Sequence, residues 1–293
     1  MTASSVRASV LLALALFFAA RPAAAASELP VVFIHGFCSS ASTWDATLPQ
    51  LSTRRFGDNA GVYYESATGQ AALMTSATPG SKTFLINFSD LSGGFDARAV
   101  ADVPVTRKAG ELKVLIDHIK STTGASGVIL VGHSLGGLVA RSYIQGIGVS
   151  RSGAAIPYGK DVLGLIMIST PNQGSVLANL AGQNGREACA LADTANLRDL
   201  QPTSALLAEL NKRTWPPATE VHSIVSNNTG RQSDDVVTTT SQDLRAIPRY
   251  TFLRAASHWL QVFTRDGILH TRVHGEATTV SLVTGIISDL DKK

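Results

Sequence analysis

Residues 128–137 read Val-Ile-Leu-Val-Gly-His-Ser-Leu-Gly-Gly, and this stretch decides the expected fold. Its first four residues form a short apolar, mostly β-branched run, which is typical of a buried strand. The run stops abruptly at a glycine-rich turn that contains Ser134. Apolar residues at helical spacing follow at once, between Leu138 and Ile144. The sequence therefore predicts a strand, a sharp turn that carries a serine, and a helix.

Glycines flank Ser134 two residues away on either side. Side chains at Gly132 and Gly136 would collide as the helix folds back along the strand, so glycine is the residue that fits. The first N–H groups of the helix would point toward the oxygen of a bound acyl group. Strand, turn and helix together are the setting of the nucleophile elbow of an α/β-hydrolase. The pentapeptide alone would also fit a glycine-rich turn with an inert serine.

The first residues are typical of an export signal. Arg7 precedes an apolar run over residues 8–20, and small residues follow at 23–26. This pattern predicts a secretory signal peptide over residues 1–26 that is cleaved near Ala26. An uncleaved membrane anchor is the alternative, although the apolar run is too short to span a bilayer comfortably. We therefore expect a secreted or periplasmic protein.

Composition favours one large α/β domain over residues 27–293. Removal of residues 1–26, which carry Arg7 and Arg21 and no acidic residue, leaves 267 residues and lowers the formal net charge from +3 to about +1. The chain has no basic run with interleaved aromatic residues, so we expect no nucleic-acid partner. Its hydrophobic fraction of 44% suits an enzyme with an apolar substrate groove.

Strand-like and helix-like segments alternate along the chain, which predicts a mostly parallel sheet flanked by helices. The expected strands cover residues 29–34, 83–88, 128–132, 162–169, 221–226, 250–253 and 260–263, and the expected helices cover 100–121, 135–145 and 277–290. Residues 56–80 are rich in small polar residues and are predicted to form a loop. Residues 174–219 form a long insertion with an amphipathic helix at 203–212. It is predicted to be a cap or lid over the site, with ordinary connecting helices as the alternative.

A serine nucleophile needs a base to accept its proton and a carboxylate to orient that base. In α/β-hydrolases these three residues occur in the order Ser, Asp or Glu, His. Asp234 and Asp235 lie on a loop expected to follow a strand after the elbow, and either could be the acid. The candidate bases near the C-terminus are His258, His270 and His274, of which His258 lies in a strand-like segment and ranks last.

The chain resembles the bacterial lipase/esterase branch of the α/β-hydrolase superfamily. The resemblance rests on four segments that span most of the mature chain, at residues 33–37 (Phe-Ile-His-Gly-Phe), 132–137 (Gly-His-Ser-Leu-Gly-Gly), 169–175 (Ser-Thr-Pro-Asn-Gln-Gly-Ser) and 234–237 (Asp-Asp-Val-Val). In such lipases the acid often opens an Asp-Gly-Val-Val segment. The resemblance therefore implies that Asp234 is the acid, that Asp235 stands in the glycine slot, and that Asp235 is the second candidate.

The same resemblance ranks the bases and completes the expected site. Such chains end with a histidine that is followed by a short loop and a final helix. This ending favours His270 as the base and leaves His274 as the second candidate. The oxyanion would be bound by the backbone N–H groups of Leu135 and Phe37. The resemblance also implies that His35 supports the turn that carries Phe37. Because His133 is the neighbour of Ser134, its side chain should point away from the base and either pack in the core or contact residues that line the site.

These residues predict hydrolysis of a small-molecule or lipid carboxylic ester through an acyl-enzyme on Ser134, with transient contact to a lipid interface. A thioesterase, an acyltransferase or a polyester depolymerase could use the same machinery, and a catalytically silent binding module is an alternative of another class. The mechanism needs no organic cofactor and no catalytic metal. The resemblance leaves open a structural calcium ion, for which the sequence offers no convincing ligand set.

The chain has two cysteines, Cys38 and Cys189. Export makes a disulfide chemically possible, and the even count suggests that these two residues form one. Two separate buried thiols are the alternative.

Overall fold

A computed structural model describes residues 28–51, 59–90, 97–176, 178, 193–228, 230–251 and 260–293. The predicted signal peptide over residues 1–26 lies outside these ranges. Among the residues that the structure describes, no helix is both long enough and apolar enough to cross a membrane.

Eight strands in the described part of the chain form one sheet with the spatial order β3-β2-β4-β1-β5-β6-β7-β8. They are β1 (Val31–Ile34), β2 (Asn59–Glu65), β3 (Ala71–Leu73), β4 (Thr83–Ile86), β5 (Val128–His133), β6 (Val162–Ile168), β7 (Glu220–Asn227) and β8 (Leu260–Asp266). The edge strand β3 pairs antiparallel with β2, and every other neighbouring pair is parallel. The predicted mostly parallel sheet is confirmed.

Helices follow most strands and cover the two faces of the sheet. They are α1 (Ala97–Ala101), α2 (Val105–Thr123), α3 (Leu135–Ile144), α4 (Ala195–Leu200), α5 (Ala205–Lys212), α6 (Thr239–Gln242), α7 (Pro248–Thr251) and α8 (Ala277–Leu290). The expected helix over residues 100–121 is two helices. Pro104 stands between them as the residue before α2, since it has no N–H to continue the α1 ladder.

The alternation of side chains along the strands divides the core into two layers. Val32 and Ile34 of β1 pack in the layer that contains α2 and α3. Val31 and Phe33 of the same strand pack in the opposite layer, which contains α8. All four side chains are fully buried. Burial on both faces explains why the central strands are continuous apolar runs in the sequence.

The parallel register brings the loops that carry the candidate site to one edge of the sheet. Ile34 of β1 is in register with Gly132 of β5, which is in register with Met167 of β6. Parallel strands end at the same edge, so the segments that follow β1, β5, β6, β7 and β8 converge there.

Two expectations about secondary structure are wrong. Residues 56–80 are not only a loop, because they contain the hairpin of β2 and β3, whose Tyr63 pairs with Ile86 of β4. The small polar residues of this segment show no strand pattern, because β2 forms through its pairing with the distant strand β4. The expected strand over residues 250–253 begins instead in helix α7, where Pro248 takes the first helical position and Tyr250 packs edge-on against Trp215. Residues 252 and 253 lie outside the described ranges.

The insertion over residues 174–219 includes α4 and α5 in its described part. The expected amphipathic helix is present as α5, with Leu206, Leu207 and Leu210 buried. Helix α4 is held to the start of α2, because Asp199 accepts a hydrogen bond from the N–H of Val105 across 2.8 Å. The role of this insertion as a lid stays a prediction.

Candidate active site

Ser134 lies at the turn between β5 and α3 in a rare backbone conformation. Its φ is 53° and its ψ is −124°, a combination that costs a non-glycine residue on the order of 1–3 kcal/mol. The N–H of Ser134 donates to the carbonyl of Ile168 at the end of β6, across 2.8 Å. This bond and the flanking strand and helix hold the strained turn in place.

The glycines of the turn are required by close backbone contacts. A Cβ at Gly132 would lie 2.6 Å from the backbone nitrogen of Gly137, so helix α3 does fold back over the strand. A Cβ at Gly136 would lie 2.4 Å from the carbonyl oxygen of Ile34, on the neighbouring strand β1. Gly136 is therefore selected by the approach of β1 rather than by its own strand.

His270 contacts Ser134 directly. Its Nε2 lies 2.8 Å from the hydroxyl oxygen of Ser134, and both residues are buried. His270 stands on the loop between β8 and α8, and its N–H donates to the carbonyl of Asp234 across 3.0 Å. Main-chain and side-chain contacts thus fix the imidazole between Ser134 and the loop that follows β7.

Asp234 binds the other ring nitrogen of the same histidine. Nδ1 of His270 lies 2.8 Å from Oδ2 of Asp234. A carboxylate only accepts hydrogen bonds, so Nδ1 carries the proton and Nε2 is left to accept the proton of Ser134. Two contacts of 2.8 Å therefore connect a carboxylate, an imidazole and a hydroxyl that come from residues far apart in the sequence.

Hydrogen bonds keep Asp234 ionised although its side chain is fully buried. Burial alone would raise the pKa of Asp234, but hydrogen bonds from His270, Ser226 and the N–H of Val237 hold that pKa below its ordinary value. The N–H groups of Val236 and Val237 donate to Oδ1 across 3.1 and 2.7 Å. The carboxylate is thus a fixed negative charge beside the imidazole.

Asp235 and His274, the second candidates for acid and base, face elsewhere. The Asp235 carboxylate accepts from Asn228 and Arg231, across 2.8 and 3.1 Å, at the protein surface. Its φ of 76° is in the left-handed region that favours glycine. The His274 ring packs edge-on against Trp44. Burial lowers the pKa of His274, which keeps its imidazole neutral.

The predicted oxyanion donors lie on either side of Ser134. The N–H of Leu135 is the first of helix α3, where N–H groups have no partner within the helix. Phe37 lies in the turn after β1, and Gly36 brings this turn against the serine, since a Cβ at Gly36 would stand 3.1 Å from Cβ of Ser134. The turn that carries Phe37 thus lies against Ser134, and the roles of the Phe37 and Leu135 N–H groups as oxyanion donors stay a prediction.

His35 supports this turn as expected from its position. Its Nδ1 donates to the carbonyl of Gly36 across 2.9 Å. Burial lowers the pKa of His35 to about 4, against the opposing effect of the Gly36 hydrogen bond. His35 is therefore a neutral hydrogen-bond donor at neutral pH.

The direction predicted for the His133 side chain is wrong, although contact with residues of the site was one of its two expected roles. Its side chain does not point away from the base, because Nε2 of His133 donates to the main-chain carbonyl of His270 across 3.0 Å. Its ring also packs against those of His270 and His274, with centroids 5.0 and 4.7 Å apart. Its position next to Ser134 indicated that it lies near the site. The direction of its side chain, however, depends on the position of the loop that carries His270, which is distant in the sequence.

Sequence reasoning also missed Ser226 and Gln242, which both donate to Oδ2 of Asp234, across 2.7 and 3.1 Å. Ser226 lies near the end of β7 and Gln242 is the last residue of α6. Neither stands in a recognisable motif. The segment over residues 169–175, which resembles the family, is the sequence feature most closely connected to Gln242. Its Asn172 donates to the carbonyl of Gln242 across 2.8 Å.

The described ranges contain no group of three His, Cys, Asp or Glu side chains arranged to hold a metal ion. Cys38 directly follows Phe37 and is disulfide-bonded. The other cysteine of the chain, Cys189, lies outside the described residues. The disulfide-bonded residue thus directly follows a predicted oxyanion donor.

Several solved structures share this fold. The product of gene lin2722 from Listeria innocua is 17% identical, with a TM-score of 0.60 over 87% of this chain and 92% of that chain. The lipase BlEst2 from Bacillus licheniformis in its mature form is 16% identical, with a TM-score of 0.55 over 92% and 94% of the two chains. Lipase 1 from Pelosinus fermentans is 13% identical, with a TM-score of 0.52 over 91% and 99%. At these identities the likeness shows the fold alone.

A comparison with curated protein sequences gave no match. A sequence profile described as the Alpha/beta hydrolase family, in contrast, matches residues 31–274. The matched region contains the elbow, the loop of Asp234 and the loop of His270, and it spans well over half of the chain. The protein therefore belongs to the alpha/beta hydrolase family.

Proposed function

We propose that this protein hydrolyses carboxylic esters through an acyl-enzyme formed on Ser134. The single observation that carries the proposal is the pair of 2.8 Å contacts that joins Asp234 to His270 and His270 to Ser134. Membership in the alpha/beta hydrolase family supports a hydrolytic activity. The ester as the bond that is cleaved, and the role of each residue, are inferred from the chemistry of the site.

In the first half of the reaction Ser134 Oγ attacks the ester carbonyl while Nε2 of His270 takes the hydroxyl proton. Asp234 keeps the imidazole oriented and stabilises its charged form. The N–H groups of Leu135 and Phe37 bind the oxyanion of the tetrahedral intermediate. As this intermediate collapses, His270 gives the proton to the departing alcohol.

In the second half a water molecule attacks the acyl-enzyme and gives its proton to His270. The same oxyanion donors stabilise the second tetrahedral intermediate. The acid leaves, Ser134 regains its proton from His270, and the site returns to its starting state. His270 is the donor or the acceptor in every proton transfer of these steps, so the proposed mechanism uses no organic cofactor and no metal ion.

The proposed substrate is a small-molecule or lipid ester. Leu269, next to His270, is 36% exposed, and Val176, on the loop that follows β6, is 59% exposed. Apolar side chains at this edge of the sheet suit an apolar acyl group or transient contact with a lipid surface. Two proteins of the same fold are described as lipases. We further propose that residues 1–26 direct export of the chain.

The test is a series of chromogenic p-nitrophenyl esters of graded acyl length, assayed below and above their solubility limits. The wild-type protein is expected to release p-nitrophenol, and Ser134→Ala to lose this activity by a factor of about 10⁴ or more while its unfolding transition stays cooperative. Wild-type protein that is folded but turns over none of the esters contradicts the proposed function. Equal turnover by Ser134→Ala contradicts the assignment of the nucleophile.

A further inference from the structure

Helix α6 places the side-chain amide of Gln242 against the loop that carries Asp234. Gln242 is fully buried, and its Oε1 accepts from the N–H of Ser226 across 2.7 Å. Its Nε2 lies 3.0 Å from the carbonyls of Ser226 and Val237 and 3.1 Å from Oδ2 of Asp234. One amide therefore joins the end of β7 to both ends of the acid loop.

The amide group supplies both the acceptor and the two donor hydrogens that this position uses, and it adds no charge. The N–H of Ser226 requires an acceptor, and the carboxylate of Asp234 requires a donor. A methionine would fill the volume with neither. A glutamate would supply the acceptor but would bring a second carboxyl group to within about 3 Å of Asp234, where two charges repel strongly in a buried setting.

The backbone of Gln242 is itself held by the segment after β6. Asn172 donates from its side chain to the carbonyl of Gln242 across 2.8 Å. The N–H of Asn172 donates to the carbonyl of Ser241 across 2.9 Å. Arg141 of α3, fully buried, donates to Oδ1 of Asn172 across 2.9 Å. The main chain that carries the Gln242 amide is therefore held in place, and the amide does not need to be ordered when substrate binds.

Asp234 Oδ2 has three side-chain donors, namely His270, Ser226 and Gln242. Donors that share one oxygen compete for its electron density. The two donors other than His270 limit how strongly the carboxylate pulls on the Nδ1 proton, and they fix the direction from which it does so. Loss of one of them would leave the carboxylate more basic and freer to rotate.

We propose that Gln242 is a positioning residue that sets the orientation and the proton affinity of the Asp234–His270 pair during ester hydrolysis. The inference rests on the proposed function, because it assigns Gln242 to the same reaction. Gln242 does not touch the reacting atoms and acts only through Asp234. Its effect should therefore appear in turnover and its pH dependence and leave substrate binding unchanged.

The experiment compares Gln242→Met with Tyr143→Phe. Tyr143 is a control because it is fully buried and its hydroxyl donates to Oδ1 of Asp161 across 2.6 Å. Asp161 directly precedes β6, at the edge of the sheet opposite to Ser134. Both variants remove a buried hydrogen-bonding group, so both are expected to lower the melting temperature.

For Gln242→Met we expect kcat to fall roughly 10- to 100-fold, the range for one hydrogen bond to a charged group, with KM nearly unchanged. The acidic limb of kcat/KM should move to higher pH, because the pair holds its proton more tightly. Gln242→Glu should lose further activity as pH rises and its new carboxyl group ionises. Tyr143→Phe should keep the wild-type kcat and the wild-type pH limb.

Unchanged kcat and pH limb in Gln242→Met, or changes that Tyr143→Phe reproduces, would overturn the assignment of Gln242 while wild-type turnover leaves the proposed function standing. If Gln242→Met does not fold, Gln242→Asn, which keeps an uncharged amide but withdraws it from Asp234 by one methylene group, provides the same comparison of pH limbs. Wild-type protein that turns over no ester and takes up no fluorophosphonate overturns the proposed function and the role of Gln242 together.

Discussion

Nε2 of His133 and the main-chain carbonyl of His270 are joined by a 3.0 Å hydrogen bond. The residue before the proposed nucleophile thereby holds the backbone of the proposed base. Burial, followed by repulsion from His270 and His274, holds the pKa of His133 well below its ordinary value. A neutral His133 keeps one ring nitrogen as donor to the carbonyl, so this contact links the elbow to the C-terminal loop without adding a charge to the site.

The buried residues His35 and His133 and the partly buried His274 should make the fold sensitive to acid. Burial lowers the pKa of His35 to about 4 and also lowers the pKa values of His133 and His274. Such groups bind protons more readily in the unfolded chain. The stability that depends on their neutral form is complete above the ordinary pKa of 6.5 and is lost as pH falls toward the folded value, by up to about 1.4 kcal/mol per pH unit for each histidine.

His133→Asn should therefore have a free energy of unfolding that falls less steeply between pH 6.5 and 5 than that of the wild type. Denaturant unfolding at several pH values measures this slope. Gly285→Ala, a change on α8 that neither adds nor removes a titratable group, is the control and should keep the wild-type slope. Equal slopes for His133→Asn and the wild type would show that His133 is not buried in its neutral form.

Asp234→Asn and Asp235→Asn form a matched pair of neighbouring substitutions. Asp234→Asn removes the charge beside His270 and should lower kcat by about 10⁴-fold, because the imidazole loses its orienting acceptor. Asp235→Asn affects only surface contacts with Asn228 and Arg231 and should keep wild-type turnover. Steady-state kinetics on one soluble ester distinguishes the two. A larger loss in Asp235→Asn would reverse the assignment of the acid.

His270→Ala and His274→Ala should separate catalysis from packing. His270→Ala removes the proposed base and should lower kcat by on the order of 10³-fold or more. His274→Ala removes a ring that packs against Trp44 and His133, so it should lower the melting temperature and keep most of the turnover. Kinetics and thermal unfolding are measured on the same samples. Comparable turnover in the two variants would contradict the choice of His270.

Gly36→Ala tests the turn that carries Phe37. The added Cβ would lie 3.1 Å from Cβ of Ser134 and 3.3 Å from Nδ1 of His133, so the turn must shift by a few tenths of an ångström. Displacement of one oxyanion donor should lower kcat by up to about 10²-fold. Gly285→Ala is the control, because a Cβ there meets nothing within 4 Å on helix α8. It should raise stability by about 0.5–1 kcal/mol without changing turnover.

The elbow was predictable because its pattern is local. The apolar run of β5, the serine and the helix α3 follow one another without interruption. Gly132 is selected by the return of the helix over the strand, whereas Gly136 is selected by the approach of β1. The strand β2 was missed for the opposite reason. Its Tyr63 pairs with Ile86 of β4, and no pattern within residues 56–80 indicates this pairing. Long-range pairing of this kind leaves little trace in local composition.

Within the site, sequence order and family resemblance led to Ser134, Asp234 and His270, which the fold places within hydrogen-bond distance. They left Asp235 as a second candidate for the acid, because adjacent carboxylates differ only in the direction that the loop gives their side chains. Gln242 could not be found in this way. Its contacts to Asp234 and Ser226 depend on α6, Asn172 and Arg141, and none of these lies next to it in a motif. Supporting contacts are properties of the tertiary structure, whereas the nucleophile has a sequence signature.

The central claim, that Ser134 is an activated nucleophile, is tested most directly by fluorophosphonate labelling of the folded protein. Intact mass should show one phosphonyl adduct per chain, and peptide mapping should place it on Ser134. Asp234→Asn and His270→Ala should be labelled far more slowly than the wild type, and Asp235→Asn at the wild-type rate. A folded wild-type protein that takes up no label, or takes it up at a residue other than Ser134, would contradict the account.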